Sequence, residues 1–120
     1  MVDFAKSCIV DWKKFTISSD NQNFSITQQS CASYGNLIVM SFQAAIINSS
    51  VGSATMTPSI DLKFSGGGFQ PVIIARANNN ATMYPVRGWL GSNGLLNIYS
   101  YTTMLVGTVV SGMIVFVNGR

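Results

Sequence analysis

The fold is decided by a stretch that begins Ile60-Asp-Leu-Lys-Phe64 and ends Met113-Ile-Val-Phe-Val117. Short apolar runs follow one another in this stretch, and Gly, Pro or Asn residues separate them. Such runs at this spacing predict the strands of a sandwich or barrel. The internal runs are Val72-Ile-Ile-Ala75, Met83 to Leu90 and Leu95-Leu-Asn-Ile-Tyr-Ser-Tyr101, and the interruptions are Ser65-Gly-Gly-Gly68, Asn78-Asn-Asn80 and Gly91-Ser-Asn-Gly94.

The longest run of the chain, Leu37 to Ile47, lies in the first half and alternates cleanly. Its even-numbered residues from Ile38 to Ile46 share one face, which predicts a strand with that face in the core. We also expect a long, partly exposed strand from Cys8 to Ile17, a strand at Phe24–Thr27 and a loop from Asn48 to Pro58. These elements predict an all-β, antiparallel, jelly-roll-like sandwich or barrel of about eight strands.

The composition favours one domain with a weakly charged surface. The 120 residues are 48% hydrophobic and only 9% charged, so the surface is either rich in Ser, Thr and Asn or buried against other subunits. We expect a single head domain over residues 1–120, in which residues 1–7 are a neck or a leftover segment. The net charge of +3 is spread along the chain, which favours no nucleic-acid partner.

Membrane insertion and secretion are not indicated. The most apolar window, Met104 to Val117, spans fourteen residues, whereas a membrane helix needs about 20. We therefore expect a core strand or a hairpin there. Residues 1–6 lack the basic start and apolar block of a signal peptide.

The reactive residue types argue against an enzyme. The chain contains no His and no Glu, and its carboxylates are Asp3, Asp11, Asp20 and Asp61, widely spaced. This set predicts no histidine base, no paired carboxylates, no metal site and no cofactor. Cys8 and Cys31 are expected to be buried thiols, with a disulfide between them as the alternative.

The candidate binding residues are aromatic and planar polar groups. Arg87 and Trp89 are two residues apart and share a face if the backbone is extended. Three further candidates lie close to this pair in sequence: Tyr84, Arg76 and Asn79, which is the centre of the loop Asn78–Asn80. Tyr99 and Tyr101 also share a face. Aromatic rings with a few placed polar groups are typical of saccharide sites. Alternatively, Trp89 is a core or interface residue, and Arg87 stacks beside it or pairs with Asp61.

A family resemblance covers roughly residues 60–117. The order Phe69-Gln-Pro71, Val86-Arg-Gly-Trp-Leu90, Asn93-Gly-Leu-Leu-Asn-Ile98 and Val115-Phe-Val117 resembles the C-terminal head domains of phage receptor-binding proteins, those of lactococcal phages above all. The resemblance implies a trimeric β-sandwich head at the tail tip or baseplate of a virion, which binds cell-wall saccharides of the host. Trp89, Arg87 and Asp61 match the sites of such heads by residue type.

Three other functions remain open. A capsid, baseplate or fibre-assembly module would have the same composition and bind only protein. A jelly-roll lectin or adhesin of cellular origin is the second alternative, and an enzyme that uses two of the four Asp residues is the last.

Overall fold

The structure is a computed structural model that describes residues 12–63, 72–76, 82–91 and 93–119. These residues form ten strands in two antiparallel sheets and no helix. The predicted all-β, antiparallel sandwich is therefore confirmed. The strand number exceeds the expected eight because two segments that the sequence presents as single strands each contribute to both sheets.

The two sheets differ in size. The larger has six strands in the order β1 (Lys13–Phe15), β3 (Phe24–Tyr34), β4 (Leu37–Ile46), β10 (Val109–Val117), β6 (Val72–Arg76) and β7 (Met83–Tyr84). The smaller has four strands in the order β2 (Ile17–Ser19), β5 (Val51–Pro58), β9 (Leu96–Met104) and β8 (Val86–Leu90).

The last two strands lie in the middle of the sandwich, one in each sheet. β10 pairs with β4 and β6, and β9 pairs with β5 and β8. Late strands inserted between early ones are typical of Greek-key connections. The apolar window from Met104 to Val117 is the turn between β9 and β10 followed by β10 itself, so the expectation of a core strand or hairpin is confirmed.

The core lies between the sheets and is made by strand alternation. Every second residue of β4, from Ile38 to Ile46, is at most 6% exposed, which confirms the predicted core face. Met56, Leu96 and Ile98 face them from the smaller sheet and are equally buried. Burial of such apolar surface supplies about 25 cal/mol per Å² and drives the two sheets together.

The chain changes sheets at two points where the sequence reads as continuous. β1 and β2 flank Thr16, whose N–H donates to the Ser59 hydroxyl (3.0 Å) and whose carbonyl accepts from the Ser59 N–H (2.8 Å). The expected long strand up to Ile17 is therefore wrong in its described part, and its beginning at Cys8–Asp11 lies outside the described residues. The second point is Pro85, which has no N–H to donate to a continuing strand.

Two segments differ from the sequence prediction. The expected loop at Asn48–Pro58 is wrong, because Val51–Pro58 is β5 and pairs with β2 and β9. The register of β5 shifts between Val51 and Ser53, and such a bulge resets the alternation that reveals a strand. The expected strand at Ile60–Phe64 is wrong for residues 60–63, which form no strand; Phe64 lies outside the described residues.

A glutamine side chain joins the two sheets. Gln29 of β3 faces the smaller sheet, where its amide oxygen accepts from the Ile17 N–H (2.8 Å) and its amide nitrogen donates to the Ile17 carbonyl (3.0 Å). The side chain thereby takes the place of a neighbouring strand at the edge of the sandwich.

Cys31, two residues beyond Gln29 along β3, is a buried free thiol, which agrees with the first expectation for this cysteine. Burial raises the pKa of the Cys31 thiol, and the backbone of Ser41 partly opposes that change. The thiol is therefore held in its neutral form. Cys8 lies outside the described residues.

Candidate functional site

The outer face of the four-stranded sheet carries a group of aromatic and planar polar side chains. Leu90, Leu96 and Ile98 point into the core, so the residues that alternate with them on β8 and β9 point to solvent. We call this surface the aromatic face. It comprises Arg87 and Trp89 on β8, Asn97, Tyr99 and Tyr101 on β9, and Ser53, Thr55 and Thr57 on β5.

The most specific contact of the aromatic face joins Arg87 to Trp89. The guanidinium carbon lies 5.0 Å from the centroid of the indole ring, which is within the range of a cation–π contact. Because β8 is extended, the two side chains share a face as the sequence predicts. Arg87 therefore stacks on Trp89, the first of the two arrangements that the sequence left open for it.

The strand register adds two tyrosines to this pair. Tyr99 lies directly opposite Arg87 across the β8–β9 ladder, and paired residues on one face are about 5 Å apart. The Tyr99 and Tyr101 rings meet edge to face with centroids 5.2 Å apart. Both rings are exposed, Tyr101 to 63%. The aromatic face thus presents an indole, a guanidinium and two phenol rings to solvent in one continuous surface.

Asn97 supplies an amide whose orientation is fixed. It lies between Trp89 on β8 and Thr55 on β5. Its amide nitrogen donates to the Leu95 carbonyl (3.1 Å), and its amide oxygen accepts from the Thr55 hydroxyl (3.3 Å). One N–H and one lone pair of the amide remain for a ligand.

The pair of Arg87 and Trp89 lies at the rim of the sandwich. β8 is the edge strand of the smaller sheet in the described structure, so a ligand can approach these side chains from above and from the side. A short turn fixes the β8–β9 pairing: the Asn93 side chain accepts from the Leu95 N–H (3.1 Å), and the Gly94 N–H donates to the Gly91 carbonyl (3.0 Å). A side chain at Gly94 would meet the Leu62 carbonyl at 2.7 Å.

The remaining candidate residues from the sequence lie elsewhere. Tyr84 belongs to the larger sheet and packs against the core, because the chain changes sheets at Pro85. Arg76 lies on the larger sheet too, on the row of Val109. Asp61 is exposed in the segment after β5, where its carbonyl accepts from the Asn118 side chain (3.1 Å). Asn79 lies outside the described residues.

Sequence reasoning did not assign Asn97, Thr55 or Ser53 to the site. The turn at Gly91–Gly94 is a signal for Asn97, since a tight hairpin there sets residues of β9 opposite Arg87 and Trp89. The β5 residues carry no comparable local signal, because β5 pairs with β9 across more than forty residues of sequence.

The outer face of the six-stranded sheet is different in character. Val117, Leu37 and Tyr34 form one row across three strands, and Val115 and Val39 lie in the next row. The Trp12 ring contacts Tyr34 with centroids 5.6 Å apart. We call this surface the apolar face; it comprises Trp12, Tyr34, Leu37, Val39, Ile74, Met113, Val115 and Val117.

The described carboxylates and thiol do not assemble into a further site. Within residues 12–63, 72–76, 82–91 and 93–119, no three His, Cys, Asp or Glu side chains are grouped so that they could hold a metal ion. Asp20 accepts a hydrogen bond from the Thr55 N–H (2.8 Å) and so fixes the end of β2 against β5. Among the same residues no helix is both long and apolar enough to cross a membrane.

Comparisons with known proteins add no relative. No family model matches the chain, and neither curated proteins nor solved structures yield a significant match.

Proposed function

We propose that this chain is a saccharide-binding head of a phage adhesion protein and that it binds its ligand on the aromatic face. The observation that carries the saccharide part is the stacked pair of Arg87 and Trp89 beside the exposed ring of Tyr99. The phage part rests on the sequence resemblance of residues 60–117 to receptor-binding heads, which implies a location at a tail tip or baseplate.

The binding mechanism follows from the chemistry of the two groups. A pyranose ring has an apolar C–H side that packs on an indole or phenol ring, and its hydroxyls lie at the rim of that contact. Arg87 has N–H groups that remain available around its stacked plane. Asn97 adds a fixed amide directly across the ladder from Trp89. Rings provide contact area and the polar groups select the orientation of the sugar.

Binding at an open face is expected to be weak for one sugar unit. A surface without a deep cleft buries only one side of the ligand, whereas drug-like pockets bury most of it. Several heads on one virion that bind a repeating glycan together raise the overall strength by avidity. No covalent step is part of the proposal.

The second candidate is an assembly module that binds only protein. The observation that favours it is the apolar face, because exposed apolar patches of this kind are typical of protein contacts. The two candidates differ in whether any host glycan is bound at all.

The test is the affinity of the folded protein for soluble cell-wall saccharides, first by glycan array and then by calorimetry. We expect Trp89→Ala to weaken binding about tenfold or more, equal to about 1.4 kcal/mol. Arg87→Ala is expected to weaken it severalfold, because its N–H donors are lost while the indole remains.

The chain offers a matched control in Trp12, its other tryptophan, which lies on the opposite side of the sandwich. Trp12→Ala should leave the affinity for a soluble saccharide unchanged. Unchanged affinity in both Trp89→Ala and Arg87→Ala would remove the site from the aromatic face. A wild-type protein that binds no saccharide on the array would favour the assembly module.

A further inference from the structure

The apolar face is at or above the upper end of what an ordinary monomer exposes. Seven of its side chains, from Trp12 to Val117, are between 36% and 66% exposed. A Tyr or Trp side chain offers on the order of 150–250 Å² and an aliphatic side chain offers less, so at about half exposure the seven side chains together expose at most about 700 Å². The largest apolar patch of a typical monomer is about 300–600 Å².

The arrangement of these residues makes the face continuous. Val115 and Val117 are neighbours on the outer side of β10, and their partners across the ladder are Val39 and Leu37. Met113 precedes them on the same strand and is 56% exposed. Ile74 lies opposite Ser111 in the next strand and so extends the face beyond β10.

Charged side chains are rare in the described part of this face, which argues against a partner selected by charge. Lys14, opposite Ala32, lies at one margin, and Arg76 lies at the far end of the sheet beside Val109. The middle of the face has only apolar, Ser and Gln side chains in its described part. A partner chosen by charge complementarity has nothing to pair with there, so the occupant has an apolar surface of its own, as a second copy of this face does in a two-fold contact.

The shape of the apolar face is also compatible with packing against a second sheet. The side chains of Met113, Val115 and Val117 form a ridge along β10. Beside it lies a shallow groove floored by small and polar residues of β3 and β4, among them Ser30 and Ser41. Sheets pack face to face when the side chains of the two facing surfaces interdigitate, at a spacing of about 10 Å.

We infer that the apolar face is covered by the apolar face of a second copy of this chain. The exposed area on one copy is close to the about 800 Å² per partner that a stable protein interface buries. The contact leaves the aromatic face free, because the two surfaces lie on opposite outer sides of the sandwich. This inference stands without the proposed saccharide function, although it would supply copies for avidity.

The experiment measures the mass of the full chain in solution by light scattering and sedimentation over a range of concentrations. We expect wild-type protein to be a dimer, because a face that packs on its own copy closes at two copies; a trimer would overturn this contact. Val115→Glu places a charge in the middle of the contact and should raise the dissociation constant at least about 30-fold, since a buried unpaired charge is strongly unfavourable. Met113→Lys tests the same point with the opposite charge.

The matched control is Thr57→Glu, an exposed position on the outer side of β5 in the other sheet. It adds the same charge and should leave the mass unchanged. Circular dichroism and the melting temperature show that each variant is folded. A wild type that is monomeric at every concentration would overturn the inference and leave the face to a different protein or another segment of the chain.

Assembly that survives both Val115→Glu and Met113→Lys would also overturn it. The failure of this inference differs from failure of the proposed function. A monomeric Val115→Glu that binds soluble saccharide as well as wild type supports both, and an assembled protein that binds no saccharide removes only the function.

Discussion

The two sheets have similar inner faces and dissimilar outer faces. Inside, Met40 and Phe42 of the larger sheet meet Met56 and Ile98 of the smaller one, and all four are buried. Outside, the smaller sheet presents the aromatic face, with stacked and hydrogen-bonded polar groups, and the larger sheet presents the apolar face. Because fold stability depends on the inner faces, the residues of the two outer faces can differ without loss of the fold and can carry different functions.

Both outer faces are supported by the same interior. A change in the shared interior should affect both outer faces together, whereas a change on one outer face should affect only that face.

The largest effect is expected at Gly112, in the middle of β10. Gly112 lies opposite Phe42 of β4, and a Cβ at Gly112 would overlap the Phe42 ring, with 2.6 Å to its Cζ. Phe42 also packs against Phe24 at 6.5 Å between centroids, so the ring has little room to move. We expect Gly112→Ala to lower the free energy of unfolding by about 2–3 kcal/mol, measured by urea denaturation.

Gly52 of β5 is the matched control on the smaller sheet. A Cβ there meets no atom within 4 Å, so Gly52→Ala should leave stability unchanged or raise it by about 0.5 kcal/mol. At temperatures where Gly112→Ala is partly unfolded, saccharide binding and self-association should fall in parallel. Loss of only one of the two would show that the sheets do not unfold as one unit.

The larger sheet shows which parts of the fold the sequence could predict. The core face of β4, Ile38 to Ile46, follows from uninterrupted alternation and is confirmed. In β3 the register shifts between Ile26 and Gln28. The alternation that begins at Phe24 would place Gln29 and Cys31 on the outer side of the sheet, but after the shift they face inward. The sequence pattern therefore ends at Thr27 although the strand continues to Tyr34.

The aromatic face was predictable only in its local part. Arg87 and Trp89 share a face because they are two residues apart on one strand. Tyr84 is three residues from Arg87, yet it lies in the other sheet, since the chain crosses at Pro85. Contacts such as Thr55 with Asn97 depend on the pairing of distant strands, which local periodicity does not specify.

The second prediction concerns the junction of the sheets at Gln29. Its side chain satisfies both backbone groups of Ile17, so Gln29→Ala leaves a donor and an acceptor at the sheet edge without these bonds. We expect a loss of about 1–2 kcal/mol in the free energy of unfolding and faster hydrogen exchange of the Ile17 amide.

Gln28 is the matched control, because it is the same residue type one position away and is exposed on the outer side of the sheet. Gln28→Ala should change stability by less than about 0.5 kcal/mol. Equal effects of the two substitutions would contradict the role of Gln29 as a tie between the sheets.

The smallest effect, and one of opposite sign, is expected at Thr108, just before β10. Its side chain is 1% exposed, and its hydroxyl has no hydrogen-bond partner among the described residues. A buried hydroxyl without a partner is unfavourable, and Val has nearly the same shape, so Thr108→Val should raise the free energy of unfolding by about 0.5–1 kcal/mol.

The Thr55 hydroxyl on the aromatic face does have a partner, the Asn97 amide oxygen. Thr55→Val should therefore lower stability and also loosen Asn97, which weakens saccharide binding. Urea denaturation of both variants measures the contrast, and a gain in stability from Thr55→Val as well would show that its bond to Asn97 does not stabilise the aromatic face.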